Sequence, residues 1–302
     1  MAQAIDPICP WKSPGAVQLD RQNLQDWLDD QEASPLCRRL IRADFECNQV
    51  TPLQQQSLLG LLTAIRGGGL ESYFVDSETH RCKCGNQALA QALAHELQIR
   101  LNSPVRAIGI DDRQVRLQLG DGTTLEADQV VLAIPPSSWS KITIDPPLPA
   151  KVRPQMGPGL KFLCALSRAP GQSLDTLSDE ALPYTWNGIL PDSPGHALIG
   201  FSGGPQAQAD VPDYAKILES RFPGLSQNIK QSRLMDWSAD PWCGAAYSCA
   251  APGEITRQGP ILDEAIHGRL HIAGEHACYA FPGFMEGALQ SGHRVAARLT
   301  GI

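Results

Sequence analysis

The chain has no long hydrophobic run, no cysteine framework and no excess of positive charge, and each lack narrows what it is. No apolar stretch in its 302 residues approaches the ~20 that a membrane-spanning helix requires. The opening MAQAIDPICPWKSPG has neither a basic leader nor an apolar segment, so no secretory signal is visible. Nine cysteines, an odd number without framework spacing, point to free thiols in a reducing, cytoplasmic setting. A net charge of −7 argues against nucleic acid as the main partner. Nowhere does G-x-G-x-x-G stand between a strand pattern and a helix pattern, so the usual dinucleotide fingerprint is missing. The length still permits a sizeable core, in one large domain or two intertwined ones.

What is present begins as helices. Leu24, Trp27 and Leu28 form a short apolar stripe, and Ser34-Pro35 opens a second helix through Leu36, Leu40 and Ile41. Thr51-Pro52 has the form of an N-cap and first helical residue. It would start a third helix with Leu58, Leu59, Leu61, Leu62 and Ile65, which Gly67-Gly68-Gly69 stops. That triplet follows a helix rather than a strand, so it reads as a stop and not as a phosphate loop. From Arg81 to Leu97, a turn at Gly85 enters an amphipathic helix with Leu89, Leu93 and Leu97 inward. Cys82-x-Cys84 lacks the second pair that a zinc site needs.

From Val105 the period becomes two. Val105–Ile110 and Val115–Leu119 are strands, Asp121-Gly122 turns, Gln129–Ile134 is a buried run, and Pro135-Pro136 ends it. Asp145 to Pro158 is a proline-rich crossover into an apolar strand that contains Lys161. A lysine there is expensive unless one face of the strand is wet or its ammonium finds partners. Asn187–Gly204 reads as a strand pair turning at Gly195, Val211–Phe222 as a helix, and Arg233–Tyr247 as a strand running into a loop. His267, His271 and His276 with Cys278 suggest a metal, but His271 lies in a strand and its neighbours would not share its side, so none is expected.

The last stretch, RLHIAGEHACYAFPGFMEGALQSGHRVAARL from Arg269 to Leu299, carries most information. Arg269–Ala273 is a short strand ending at Gly274, and Glu275–Pro282 is a loop with a carboxylate, a histidine and two aromatics. From Gly283 a helix starts, with Met285, Ala288, Leu289, Gly292, Val295, Ala296 and Leu299 on one stripe. Strand, acidic turn and glycine-flanked helix start aim free backbone N–H groups at a partially negative ligand. On these patterns alone an ordinary strand–loop–helix unit explains the stretch equally well. Its wording goes further: HIAGEH followed by GFMEGALQSGHRVA resembles the C-terminal flavin-binding segment of the flavin-dependent amine oxidases. Upstream, Trp237, Asp240-Pro241, Gly244, Tyr247 and Pro252-Gly253 resemble the signature that precedes it in that family.

The resemblance spans nearly the whole chain and implies a mixed α/β fold: the C-terminal part of a two-domain FAD-linked amine oxidase. Residues 1–80 would be the helical part of a substrate domain and 81–136 a segment of an incomplete Rossmann-like FAD-binding domain. Residues 137–253 would be the mixed sheet and helices of the substrate domain, and 254–302 the closing FAD-binding segment. The implied reaction is oxidation of an amine or amino acid, with hydride passing from the C–H beside nitrogen to FAD and O2 giving H2O2. Gly85, Val105, Gly274, Glu275, Gly283, Phe284, Met285, Glu286 and Gly287 would bind the cofactor. Glu275 would serve the ribityl–pyrophosphate side, and the Phe284–Gly287 amides the flavin N1–C2 edge. Tyr247 and Phe284 correspond to the aromatic walls that flank the substrate amine, and Lys161 to a lysine holding a water near flavin N5. Ala246 stands where covalently flavinylated members carry cysteine, which implies non-covalent FAD.

The sequence departs from the family in three places. Cys84 replaces the first glycine of a Gly-Gly turn, Phe284 replaces the commoner tyrosine, and the chain begins beyond the family's opening strand–GxGxxG–helix. Three expectations compete: a fragment, one subunit of a split oxidase whose partner chain brings that unit, or a non-catalytic binding module. Flavin enzymes of the protoporphyrinogen-oxidase and desaturase type share the closing strand and helix but not the Asp-Pro…Tyr loop. The 302-residue chain is expected to lose FAD on a desalting column; a stable yellow protein with stoichiometric flavin would contradict this.

Overall fold

A computed structural model of the chain describes residues 1–76, 79, 80, 82, 84–189, 195–207 and 214–301. Short helices open the fold: α1 (Ala16–Arg21), α2 (Leu24–Asp29), α3 (Pro35–Asn48), α4 (Leu58–Gly67), α5 (Glu71–Val75) and α6 (Gln87–Ala94). Asn23 caps α2 by accepting from Asp26 N at 2.8 Å, and Ser34 caps α3 by accepting from Cys37 N at 3.2 Å. Leu24, Leu28, Leu53, Leu58 and Leu59 bury together as the core of this region.

Three details differ from the sequence reading. Helix α4 starts six residues after Thr51-Pro52, because Thr51 turns its hydroxyl back to Gln49 O and Ser57 caps Gly60 N instead. Helix α3 leaves Leu36 and Leu40 exposed and buries Ala43, Glu46 and Cys47. Helix α6 buries no residue and ends before Leu97; Leu93 and Leu97 are exposed because no described element covers them. Arg81 and Val211, where two predicted segments begin, lie outside the described residues.

Next come β1 (Val105–Ile110), β2 (Val115–Leu119), β3 (Thr124–Ala127), β4 (Val130–Leu132) and β5 (Thr143–Asp145). The first three form an antiparallel meander with β5 parallel to β1, while β4 waits for a strand 140 residues later. The chain then runs through β6 (Met156–Gly157), β7 (Gly159–Leu166), β8 (Thr176–Leu177), β9 (Tyr184–Ile189), β10 (His196–Gly203), α7 (Tyr214–Arg221), β11 (Ile229–Asp236) and β12 (Tyr247–Ser248). Helix α8 (Glu254–Leu262), β13 (Leu270–Ile272) and α9 (Met285–Thr300) complete it. Strand β13 pairs in parallel with β4.

Strands β11-β7-β10-β9-β8 form one antiparallel sheet whose two faces differ. Leu160, Phe162, Cys164 and Leu166 of β7 pack with Leu198 and with Tyr214 and Leu218 of α7. The period of two turns Lys161 to the opposite face. Cross-strand partners share a face, so Tyr184, Phe201, Lys161 and Met235 stand in one row on that second side. The sheet is therefore a floor with a core beneath and a site above.

The start of α8 is held from a distance. Its N-cap, Gly253, has no side chain to offer, and the buried Asp20 of α1 accepts instead from Thr256 N and Oγ1, both at 2.7 Å, and from Ser57 Oγ. Beside it Glu254, also buried, accepts from Ala251 N, Gln155 N and Gln258 Nε2. Burial pushes its carboxyl up to about 7. A carboxyl raised on folding contributes stability that is full below its unfolded range and is lost as pH rises through about 7. Glu254→Gln, which cannot ionise but sets an amide against one of these donors, is expected to flatten the fall in Tm between pH 5 and pH 8 while lowering stability at acid pH by about 1–3 kcal/mol. A variant that follows the wild-type slope in thermal unfolding would contradict this.

Candidate active site

The second face of the sheet is roofed at one end by the C-terminus of α3. The approach is close: a Cβ on Gly203 would lie 2.0 Å from Cys47 O, and one on Gly157 would lie 2.1 Å from Val50 O. Val50 is buried with φ 51, a left-handed conformation that a branched side chain rarely takes, and it turns the chain out of α3. Cys47, Val50 and Phe201 pack there with Tyr184, Trp186, Ala246 and Tyr247. The result is an aromatic bowl.

Tyr247 forms one wall. Short strand β12 sets it opposite Gly157 of β6, its ring stacks on Phe201 with centroids 6.5 Å apart, and its hydroxyl donates to Asn48 O at 2.9 Å. The start of α9 closes on it from the other side, for a Cβ on Gly283 would lie 2.9 Å from the Tyr247 ring. Gly283 also has φ +77, so glycine suits it on both counts. Glu275 locks this arrangement: its carboxylate accepts from Ser248 N at 3.0 Å, Ser248 Oγ at 2.6 Å and Gly283 N at 2.7 Å. The structure thus joins Tyr247, Glu275 and Gly283, read separately in the sequence, into one unit, with Phe284 exposed next to it.

At α9 itself, Phe284 is the N-cap and supplies no side-chain hydrogen bond. The N–H groups of Met285 and Glu286 have no partner among the described residues, while Gly287 N donates to Phe284 O at 3.1 Å. These free donors and the helix dipole make a positive pole that faces the open rim. Gly287 must be small, because a Cβ there would lie 2.2 Å from Phe281 O. Gly274 donates to Ser291 Oγ at 2.9 Å behind this pole. Lys161 is exposed on the floor with its ammonium 5.8 Å from the Trp186 ring centroid, so the strand around it has one wet face. Val105 packs, partly buried, on the cluster that includes Ile108, Leu132, Leu270 and Ile272, and Gly85 sits in an open turn with φ +78 before α6.

The apolar stripe expected along α9 is not its buried face. Gly287, Ser291 and Val295 are buried, whereas Met285, Leu289 and Leu299 are 46%, 42% and 42% exposed. Val131 on β4 is exposed as well, and β4–β13 have no further strand among the described residues. The periodicity marks a face made for burial, and no described element packs on it. The histidines go separate ways. His267 Nε2 lies 3.0 Å from Pro147 O, His271 Nε2 lies 3.0 Å from Gln129 Oε1, and His276 packs edge-on to Trp139. Burial holds the His276 imidazole down at about 4, so it is neutral at neutral pH.

Most of the bowl goes unmarked in the sequence: Cys47 and Val50 at the end of α3, Tyr184 and Trp186 from the strand edge that precedes Asn187, and Phe201, which alternation in β10 would have placed on the floor.

This chain is a member of the family of flavin containing amine oxidoreductases, whose model matches residues 3–300. It is 29% identical to the putative flavin-containing monoamine oxidase AofH of Mycobacterium tuberculosis, covering 100% of this chain and 71% of that protein. To the probable flavin-containing monoamine oxidase A of Dictyostelium discoideum it is 25% identical, over 98% and 70% of the two chains. Its fold is that of cyclohexylamine oxidase from Brevibacterium oxydans, with TM-score 0.85 at 23% identity over 98% of this chain and 71% of that one. Putrescine oxidase bound to putrescine matches with TM-score 0.88 at 22% identity, over 100% and 72%.

Because the Glu275 carboxylate answers three donors on two segments, Glu275→Ala is expected to cost about 3 kcal/mol in urea unfolding. A loss below about 0.5 kcal/mol would show that the clasp does not hold β12 to α9.

Proposed function

We propose that this chain forms the substrate site and the closing flavin contact of an FAD-dependent oxidase acting on an amine or amino acid, with O2 as final acceptor. The observation that carries the reading is the Glu275 clasp, which ties the strand carrying Tyr247 to the glycine before the uncapped start of α9. The rim suits an electron-accepting ring because it has free N–H donors at Met285 and Glu286. When bound, FAD supplies the hydride acceptor, which no protein side chain provides. Around it, Gly274, Gly283, Phe284, Met285, Glu286 and Gly287 line one side, and Gly85 and Val105 reach it from the preceding segments. The carboxylate of Glu275 is engaged by protein donors, so its contribution to the cofactor comes from its backbone.

The residues divide the work. Tyr247 and Phe284 confine the amine so that its nitrogen lone pair and neighbouring C–H point one way. The α9 N-terminus would favour negative charge at the ring edge it faces. Lys161 holds a water by its ammonium on the floor. Ala246 supplies no thiol for a covalent link, so the cofactor is held by contacts alone.

The exposed stripe of α9 and the β4–β13 pair fit a further strand–glycine-rich turn–helix unit, in cis or on a partner chain, that would cradle the pyrophosphate. No helix among the described residues is long and apolar enough to cross a membrane, and the nine cysteines are free, which supports a cytoplasmic setting. In the flavin-loaded protein, Lys161→Met is expected to slow reoxidation by O2 on the order of a hundredfold while reduction by substrate persists. Stopped-flow traces with unchanged oxygen reactivity would remove Lys161 from this role.

A further inference from the structure

The C-terminal turn of α3 brings one more group to the bowl. Asp44 accepts hydrogen bonds from the Tyr184 hydroxyl and from Asn48 Nδ2, the latter at 2.7 Å. Both arrive at the same oxygen, Oδ1, and Oδ2 accepts none among the described residues. Nor does Asp44 pair with a cation among the described residues. The arginines of its own helix are engaged elsewhere: Arg38 with Asp29 at 3.0 Å, Arg39 with Asp179 at 2.6 Å, and Arg42 with Glu46 at 3.1 Å. Asp44 is half-buried, so the carboxylate is neither dissolved in bulk water nor neutralised by protein.

Its place relative to the reacting end is set by Asn48. That residue holds the Tyr247 hydroxyl with its carbonyl and Asp44 with its amide, so one residue spans the aromatic wall and the free carboxylate. The negative end of the α3 dipole points to the same spot. Tyr184 and Tyr247 give aromatic surface along the way, suited to a cation.

We propose that Asp44 is a specificity residue that binds a second ammonium group of the substrate, so that the site prefers short aliphatic diamines and repels substrates carrying a carboxylate at that end. This rests on the amine-oxidising reading of the Tyr247–Phe284 site. The distal ammonium donates to Oδ2 while Tyr184 and Asn48 keep Oδ1 oriented, and the near amine lies between the aromatic walls. Substrates with a carboxylate at the far end, such as ω-amino acids, are disfavoured because that group meets Asp44 and a helix C-terminus.

Anaerobic titration calorimetry of the flavin-loaded protein with 1,4-diaminobutane, 1-aminobutane and 4-aminobutanoate tests this. The diamine is expected to bind at least about tenfold more tightly than the monoamine, and the amino acid more weakly than either. Asp44→Asn should bring the diamine-to-monoamine ratio to within about twofold of one, whereas Asp179→Asn, on the outer surface, should keep the wild-type ratio. Asp44→Glu moves the charge inward by one methylene and should shift the preference to 1,3-diaminopropane, a change that a merely structural role would not produce. A wild-type ratio near one, or a ratio that survives in Asp44→Asn, overturns the proposal while monoamine binding leaves the amine site standing. Absence of binding by all three ligands would overturn the amine site along with it.

Discussion

A single carboxylate holds the working parts of this molecule together. Glu275 lies between two segments that the chain brings from different directions, the short strand carrying Tyr247 and the glycine that opens α9. Charge-assisted hydrogen bonds to backbone donors are short, directional and strong, and they leave little freedom for either segment to drift. The Tyr247 ring then rests where a side chain on Gly283 would stand, and the helix start takes its direction from the same contact. Without that clasp, the aromatic walls and the positive pole of α9 would be separate features.

The site depends next on a sheet that uses its faces unequally. Packing of Leu160, Phe162, Leu198 and Leu218 beneath the floor makes it rigid. Rigidity below lets the upper face carry Lys161, Tyr184 and Phe201 in one row, with Phe201 packed under α3 and Lys161 left exposed. The roof comes from α3, whose last turn can approach only because Gly157 and Gly203 lack side chains. A left-handed Val50 costs about 1–3 kcal/mol, and close packing in the aromatic cluster offsets it.

Much of this is legible in the sequence where function rests on local order. The run from Arg269 to Leu299 announces a strand, an acidic turn and a helix because each step has its own period and its own glycine. Lys161 stands out because a charge interrupts an apolar strand. Asp44 does not, since its meaning comes from Tyr184, 140 residues away, and α3 read alone offers Glu46 with equal promise. The cap of α4 is misread for a related reason: Thr51 and Ser57 both suit the role, and a hydrogen bond to Gln49 O decides between them. The stripe on α9 shows the limit of periodicity, which tells that a face is made to be covered but not by what.

The central claim is that the uncapped amides at the start of α9 face an isoalloxazine ring. The most direct test is a crystal structure of the protein with FAD, with a strand–glycine-rich turn–helix unit supplied where it is needed to retain the cofactor. The account predicts the N1–C2 edge of the ring against the N–H groups of Met285 and Glu286, with Tyr247 and Phe284 beside it. Solvent or some other molecule at those amides, with the flavin bound elsewhere or not at all, would contradict it.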